Sequence, residues 1–333
     1  MAESEYQGRL KAIPLLKSGL PSLGIKGDIL IFILLLFLPQ LLKAVGSYQS
    51  MATFVVVWGL IAMGFNFLLG YTGALSFGHA AFLGIGAYGA GLTIKFLVPN
   101  TLLAVLIGTL AGTIAAALLG TLITRLRGIY FSMLTIAFGQ MFYFIAFEWR
   151  TVTGGDDGLR GFARQPIHLG PLSIDLLHNE LAFYYFTLVL FLIAVMLMRR
   201  IISSPLGRTF LALRENERRA RFLGISVERY LWLSFVISAV FTSLGGALLG
   251  LLINFADPTM LYWTTSGQIV MMAFLGGTRN FYGPLLGAGI FKILQDFLSS
   301  ITPNWMIFLG GLFIIFVLFF PRGVAGFLSR RRS

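Results

Sequence analysis

Residues 101–124 read TLLAVLIGTLAGTIAAALLGTLIT, a run without a single charge that stops at Arg125 and Arg127. At 1.5 Å per residue, a helix of this length covers about 36 Å, enough to cross the hydrocarbon layer of a bilayer. Comparable runs recur along all 333 residues, and the mean hydropathy is +0.86. Hydrophobic residues make up 57% of the chain and charged residues 11%, far below the roughly 25% that the surface of a soluble domain needs. In hydrocarbon every backbone polar group must find its partner inside the protein, so apolar runs of this length read as helices. The composition therefore predicts an all-α polytopic integral membrane protein.

Ten apolar segments stand out, at 29–45, 50–69, 74–97, 101–124, 129–149, 181–201, 231–253, 267–277, 283–300 and 304–320. The third is interrupted by glycines and carries Ser76 and His79; the eighth is short and stops at Gly276-Gly277-Thr278-Arg279-Asn280. A broken or re-entrant helix at either place leaves eight or nine full spans. Charge sets the orientation, because basic residues collect in cytoplasmic loops. Arg9, Lys11, Lys17 and Lys26 precede the first segment, Arg125 and Arg127 follow the fourth, and eight arginines lie between Arg199 and Arg229. Arg279 and the closing Arg322, Arg330, Arg331 and Arg332 fall on the same side if ten segments run from an internal N-terminus. The expected organisation is N-in and C-in: a cytoplasmic tail over 1–28, a transmembrane domain over 29–320 with an external loop at 150–180 and a cytoplasmic loop at 202–230, and a basic tail over 321–333. Ala44-Val45-Gly46 resembles a signal-peptidase site, but the long preceding tail and nine further segments argue for retention. The same placement of charge explains a net +12 without a nucleic-acid partner.

Several chemistries are absent. Without Cys there is no thiolate or disulfide, and the three His are too scattered for a multi-His metal site. No Gly is followed directly by Lys, so there is no Walker A loop to cradle nucleotide phosphates. No catalytic triad or carboxylate pair is recognisable, and no catalytic, cofactor or metal site is expected in this chain. Three stretches remain. Residues 70–91 hold seven glycines in 22 positions, a density that permits close helix contact or local unwinding beside a cavity; Thr72, Ser76, Gly78 and His79 are either a packed interhelical seam or part of a translocation path. Gly154-Gly155-Asp156-Asp157 is either a solvated turn or an external gate and docking surface. In 199–230, Ser204 and Pro205 start a helix and Gly224 stops it. Leu206, Phe210 and Leu213 share its apolar face, which Ala220 and Leu223 continue. This internal amphipathic helix rests on lipid headgroups or fits a groove on a cytoplasmic partner.

These residues resemble the M-type (LivM-like) permease family of branched-chain amino-acid ABC importers, over about residues 45–328. The resemblance is carried by LGYTGALSFGHAAFLGIGAYGA at 69–90, GIYFSMLTIAFGQ at 128–140, TGGDDGL at 153–159, PLGRTFLALRENERRARFLG at 205–224, LGGTRNFYGPLLGAG at 275–289, and Pro321-Arg322-Gly323. It implies a bacterial inner-membrane protein that works with a second, H-type permease, two ABC ATPases and a periplasmic substrate-binding protein. It also implies that ATP and Mg are used by those ATPases and not by this chain. Importer permeases dock on the ATPase through an E-A-A-x-x-x-G loop. That spacing falls on residues 218–224, where Ala220 and Gly224 match but Arg218 and Arg219 replace the acid and the first alanine. Arg214, Glu215, Glu217, Ala220 and Gly224 are the expected coupling residues.

The solute stays open between leucine, isoleucine or valine and urea or another short amide, since related permeases carry both kinds. A self-contained, ion-coupled secondary transporter is the reading from another class, but that class places ionisable residues near the midplane. Here only His79, Lys292 and Asp296 qualify, and the i,i+4 spacing of the last two predicts that they pair.

Overall fold

The computed structural model describes residues 25–44, 46, 48–169, 172–174, 179–319 and 323–330. Residues 1–24 of the expected N-terminal tail and residues 321–322 and 331–333 of the C-terminal one, with Arg9, Lys11, Lys17, Pro321, Arg322, Arg331 and Arg332, lie outside the described residues. The helices are α1 (Ile25–Leu36), α2 (Leu38–Ala44), α3 (Ser50–Thr72), α4 (His79–Leu92, widened into a π turn over Thr93–Leu97), α5 (Thr101–Ile123) and α6 (Ile129–Glu148). After the short α7 (Arg150–Thr153) come α8 (Glu180–Ser203), α9 (Pro205–Glu215), α10 (Glu217–Phe222) and α11 (Val227–Ile253). The chain continues through α12 (Trp263–Gly276), α13 (Gly283–Ile301), α14 (Trp305–Phe319) and α15 (Gly323–Arg330). A two-stranded antiparallel hairpin, β1 (Ile167–Leu169) and β2 (Leu172–Ile174), pairs Ile167 with Ile174 between α7 and α8.

Among the described residues, six helices are long and apolar enough to cross a membrane: α3, α4 with its π turn, α5, α6, α8 and α11. Local sequence sets their starts. Asn100 caps α5 by accepting from the backbone N–H of Leu102 (3.0 Å), and Asn179 caps α8 through Leu181 N–H (3.0 Å). The first expected segment is divided, with α2 starting after Phe37 and carrying Pro39 in its first turn. The last three are helices of 14, 19 and 15 residues. At 1.5 Å per residue α12 reaches only about 21 Å, too short to cross alone, as its early polar stop implied.

α5 shows how an all-apolar helix still has two faces. Gly108, Gly112, Ala116 and Gly120, every fourth residue, are buried, while Leu106, Leu110, Ile114, Leu118 and Leu122 point outward. Water cannot drive helices together in lipid, so close packing of small residues does. A Cβ on Gly108 would sit 2.5 Å from the Gly86 carbonyl of α4. α11 lies at the centre, packed against α3, α4 and α5.

The loops sort by charge. At one end, Arg127 pairs with Glu217 (3.0 Å) and Glu228 (3.5 Å), and Arg199 stacks over Phe281 and Tyr282. Arg214 donates to the Gly70 carbonyl at the same end. At the other, Lys95 donates to the Arg160 carbonyl (3.0 Å) and Thr101 to that of Gln165 (2.6 Å). The arginine-rich loops 125–128, 199–226 and 277–282 therefore share a basic end, as the alternation of charge along the sequence requires.

Candidate functional site

α3 stops at Thr72 because Gly73 takes a left-handed conformation (φ 78°) and closes it with an N–H bond to the Leu69 carbonyl. Residues 73–78 are not helical, and α4 starts only at His79. Backbone that leaves the helix in an apolar bundle needs other partners, and here they are hydroxyls. Ser132 donates to the Leu75 carbonyl (2.6 Å), Thr135 accepts from Phe77 N–H (3.1 Å), and Ser266 of α12 accepts from Ala80 N–H (2.9 Å). His79 is wholly buried, with Nδ1 2.9 Å from Ser76 Oγ and Nε2 2.7 Å from Ser238 Oγ. Ser238 gives its own proton to the Gly64 carbonyl (2.6 Å), so it must accept from His79. The neutral Nε2–H tautomer then satisfies both contacts, with Ser76 donating to Nδ1. Edges and faces of Phe65, Phe82 and Phe235 surround the ring at 5.1–5.9 Å.

The structure thus brings Thr72, Ser76, Gly78 and His79 into one buried seam between α3, α6 and α11. Thr72 donates to the Leu68 carbonyl (2.6 Å), and a Cβ on Gly78 would strike the Thr135 carbonyl. The void beside Gly78 is about 10 Å³, room for no more than one water.

At the basic end, the single helix expected over 205–224 is two. Pro205 occupies the first turn as expected, but Asn216 is extended (φ −162°) and its side chain accepts from Arg219 N–H (2.9 Å), capping α10. An Asn that offers the backbone this alternative breaks a helix where hydrophobic spacing alone would carry it through. Phe210 and Leu213 are buried as expected, Phe210 against Phe67 at 5.7 Å. Ala220 packs with Leu213 and Val227. Leu223 leaves the apolar face on which it was expected: it is 76% exposed and Phe222 is 90% exposed. Gly224 has φ 82° with open space around it, and Ile225 N–H closes the turn on the Ala220 carbonyl (3.1 Å). Of the expected polar contacts, only Glu215 projects freely outward. Glu217 is held by Arg127. Arg214 turns inward to Gly70, where burial, with Arg279 nearby, lowers its guanidinium from the ordinary value. It joins α9 to the residues that precede the 73–78 break.

At the other end, Gly154, Gly155 and Gly158 all have positive φ. Leu159 exchanges backbone bonds with Ala256 (2.7 and 3.2 Å), and Thr153 Oγ1 donates to the Ala146 carbonyl (2.6 Å). Arg164 crosses to the carbonyls of Leu251 (3.1 Å) and Leu252 (3.3 Å), the negative end of α11. Asp156 and Asp157 stand exposed on this rigid turn.

The sequence profile of the family "Branched-chain amino acid transport system / permease component" matches residues 47–317. The chain belongs to that family. It is similar to the high-affinity branched-chain amino acid transport system permease protein LivM of Escherichia coli K12, 25% identical over 83% of this chain and 69% of the relative. It is also similar to LivH of the same organism, 26% identical over 81% and 91%, and to BraD of Pseudomonas aeruginosa, 24% identical over 81% and 91%. No solved structure matches. With six span-length apolar helices among its described residues, this permease is a multi-pass inner-membrane protein of a transport family, not of an enzyme class.

One expected contact in the permease is absent. Lys292 and Asp296 do not pair. Lys292 Nζ donates to Gln295 Oε1 (2.9 Å) and lies 3.9 Å from the centre of the Trp58 ring; Asp296 instead accepts from the Tyr48 hydroxyl (2.9 Å). Burial, then the bond to Asp296, push the Tyr48 hydroxyl up to about 12, which keeps it a donor. The i,i+4 spacing put both residues on one face of α13 but carried no information about Trp58 and Tyr48, which arrive from more than 230 residues away in sequence. Gln268 and Thr265, close to Lys292 around one cavity, were also missed; a Thr-Thr-Ser-Gly-Gln run at the head of an apolar helix was the available signal.

Proposed function

We propose that this permease forms half of the transmembrane pathway of an ABC importer for branched-chain amino acids, with its basic end in the cytoplasm. The observation that carries the reading is the α9–α10 pair. In a member of this family, it presents Phe222 and Leu223 outward and reaches inward through Arg214 to the end of α3. Two exposed apolar side chains ringed by Arg218, Arg219 and Arg221 suit the groove of a soluble partner better than water. That partner is an ABC ATPase, which holds the ATP and Mg that this chain has no loop to bind; the chain itself catalyses nothing. Closure of the ATPase pair moves α9 and α10 together. Ala220 keeps them packed, Gly224 sets the turn, Glu215 meets the partner, and Arg214 passes the motion to Gly70 and the 73–78 break.

Thr72, Ser76, Gly78 and His79 form a sealing wall of the path rather than substrate contacts. At the external end Asp156 and Asp157, on the turn built by Gly154 and Gly155, meet the substrate-binding protein. An H-type permease supplies the other half, as two permease proteins, LivM and LivH, exist in one relative organism. Uptake of labelled leucine and urea by cells with and without this gene tests the reading: leucine uptake should fall on deletion and urea uptake should not. For orientation, a membrane-impermeant thiol reagent should label Asp157→Cys but not Asn216→Cys in intact cells, in a chain with no native Cys. The reverse pattern sinks the topology.

A further inference from the structure

Lys292 sits nine residues into α13, about 14 Å along the helix, with no carboxylate among the described residues within ion-pairing reach. A cation at this depth is costly unless something answers its charge. The side-chain oxygen of Gln295 and the face of Trp58 answer it only in part. It borders a cavity of about 190 Å³, partly open to the surface, enclosed by α3, α4, α11, α12, α13 and the 254–262 turn. Its lining is chemically mixed. Its apolar lining is Phe54, Leu83, Leu249, Ile253 and Met260, with Trp58 beside Lys292. Its polar lining is Lys292 with the hydroxyl of Thr265 and the amide of Gln268. Gln268 and Thr265 lie near the start of α12; the Thr265 hydroxyl donates to the Thr259 carbonyl (2.8 Å), which leaves its oxygen lone pairs to accept.

We propose that this cavity is the permease's own substrate site, and that it takes an α-amino acid with an apolar side chain as the zwitterion. The inference rests on the importer reading and deepens it. Lys292 Nζ receives the carboxylate, which replaces the weaker answer from Gln295 with a charge-assisted bond. The Gln268 carbonyl oxygen and the Thr265 hydroxyl accept from the ammonium. The branched side chain lies against the apolar lining residues, where removal of its methyl and methylene groups from water favours binding. Urea has neither a charge for Lys292 nor an apolar surface for Leu83 and Leu249. A dicarboxylate would need a second cation, and the lining offers one.

The test uses the purified importer with all partner subunits and Ile253→Cys in this chain, whose position is both part of the lining and 37% exposed. Maleimide labelling of that cysteine, read on this chain after the subunits are separated, should slow several-fold in saturating L-leucine and stay unchanged in L-leucinamide, which lacks the carboxylate. Adding Lys292→Met should abolish the protection, and Lys292→Arg should restore it. Equal labelling with and without leucine, or equal protection by leucine and leucinamide, overturns the site. If Lys292→Met lowers recovery of the complex, the leucine-against-leucinamide contrast in the Lys292 background decides alone. Protection decides the site and cellular uptake decides the importer reading, so the two can fail separately.

Discussion

The His79 seam and the Lys292 cavity are both polar regions inside an apolar bundle, and they handle polarity in opposite ways. In the seam each donor meets an acceptor: His79 between Ser76 and Ser238, Ser238 on Gly64, Ala80 N–H on Ser266. The space left is about 10 Å³. Around Lys292 a buried amine faces a neutral amide and an aromatic ring, beside about 190 Å³ of space. Polar groups that answer one another hold backbone in place where it is not helical. A cationic side chain answered only in part leaves an affinity for a ligand. Residue type would not separate the two, since an imidazole in the membrane looks as functional in sequence as an ammonium.

Glycines offer the sharpest way to break the comparison. Gly78 in the seam has no room for a side chain, because its Cβ would collide with the Thr135 carbonyl, whereas Gly267 on α12 has open space around it. Gly78→Val should lower stability by about 3 kcal/mol and reduce the folded yield seen in detergent chromatography. Gly267→Ala should leave stability unchanged or raise it by roughly 0.5–1 kcal/mol through helix propensity. Equal losses from both would remove the distinction between a closed seam and an open face.

The basic end provides the next contrast. Gly224 has free space but a φ of 82°, so conformational strain, not collision, governs it. Gly224→Val should cost about 1–2 kcal/mol locally, distort the α10 turn and uncouple ATP hydrolysis from uptake. Gly224→Asn, a residue that tolerates this conformation, should keep coupling nearly intact. Both are read as leucine-dependent ATPase activity in the reconstituted importer; equal damage from both would mean that the partner needs a bare backbone there. The smallest effect is expected at Glu217. Its pair with Arg127 is partly exposed, so Glu217→Gln should change stability by only about 0–1 kcal/mol, and added salt should shrink the difference further.

The apolar runs, the sorting of basic loops and the break near Gly73 were legible in sequence because each depends on local composition. So was the polar stop at Gly276, where α12 ends. The division of 205–224 at Asn216 was not, because the Asn side chain decides between continuing a helix and capping the next one, and hydrophobic spacing runs through both. The exposure of Leu223 follows from that division. Lys292 was visible, but its partners were not. A spacing rule points to Asp296, while the fold delivers Trp58 from α3 and Tyr48 from the turn before it, and only tertiary packing brings those contacts together.

The most direct test measures thermal unfolding and leucine uptake side by side for His79→Ala and Lys292→Met in the reconstituted importer. His79→Ala leaves Ser76 and Ser238 without their buried partner. It should destabilise the permease by about 1–3 kcal/mol, while uptake per folded complex stays near wild type. Lys292→Met removes a buried amine that only Gln295 and Trp58 answer. It should leave the unfolding temperature equal or higher and abolish most uptake. The opposite pattern, with Lys292→Met unstable but active when folded and His79→Ala stable but inactive, would contradict the account.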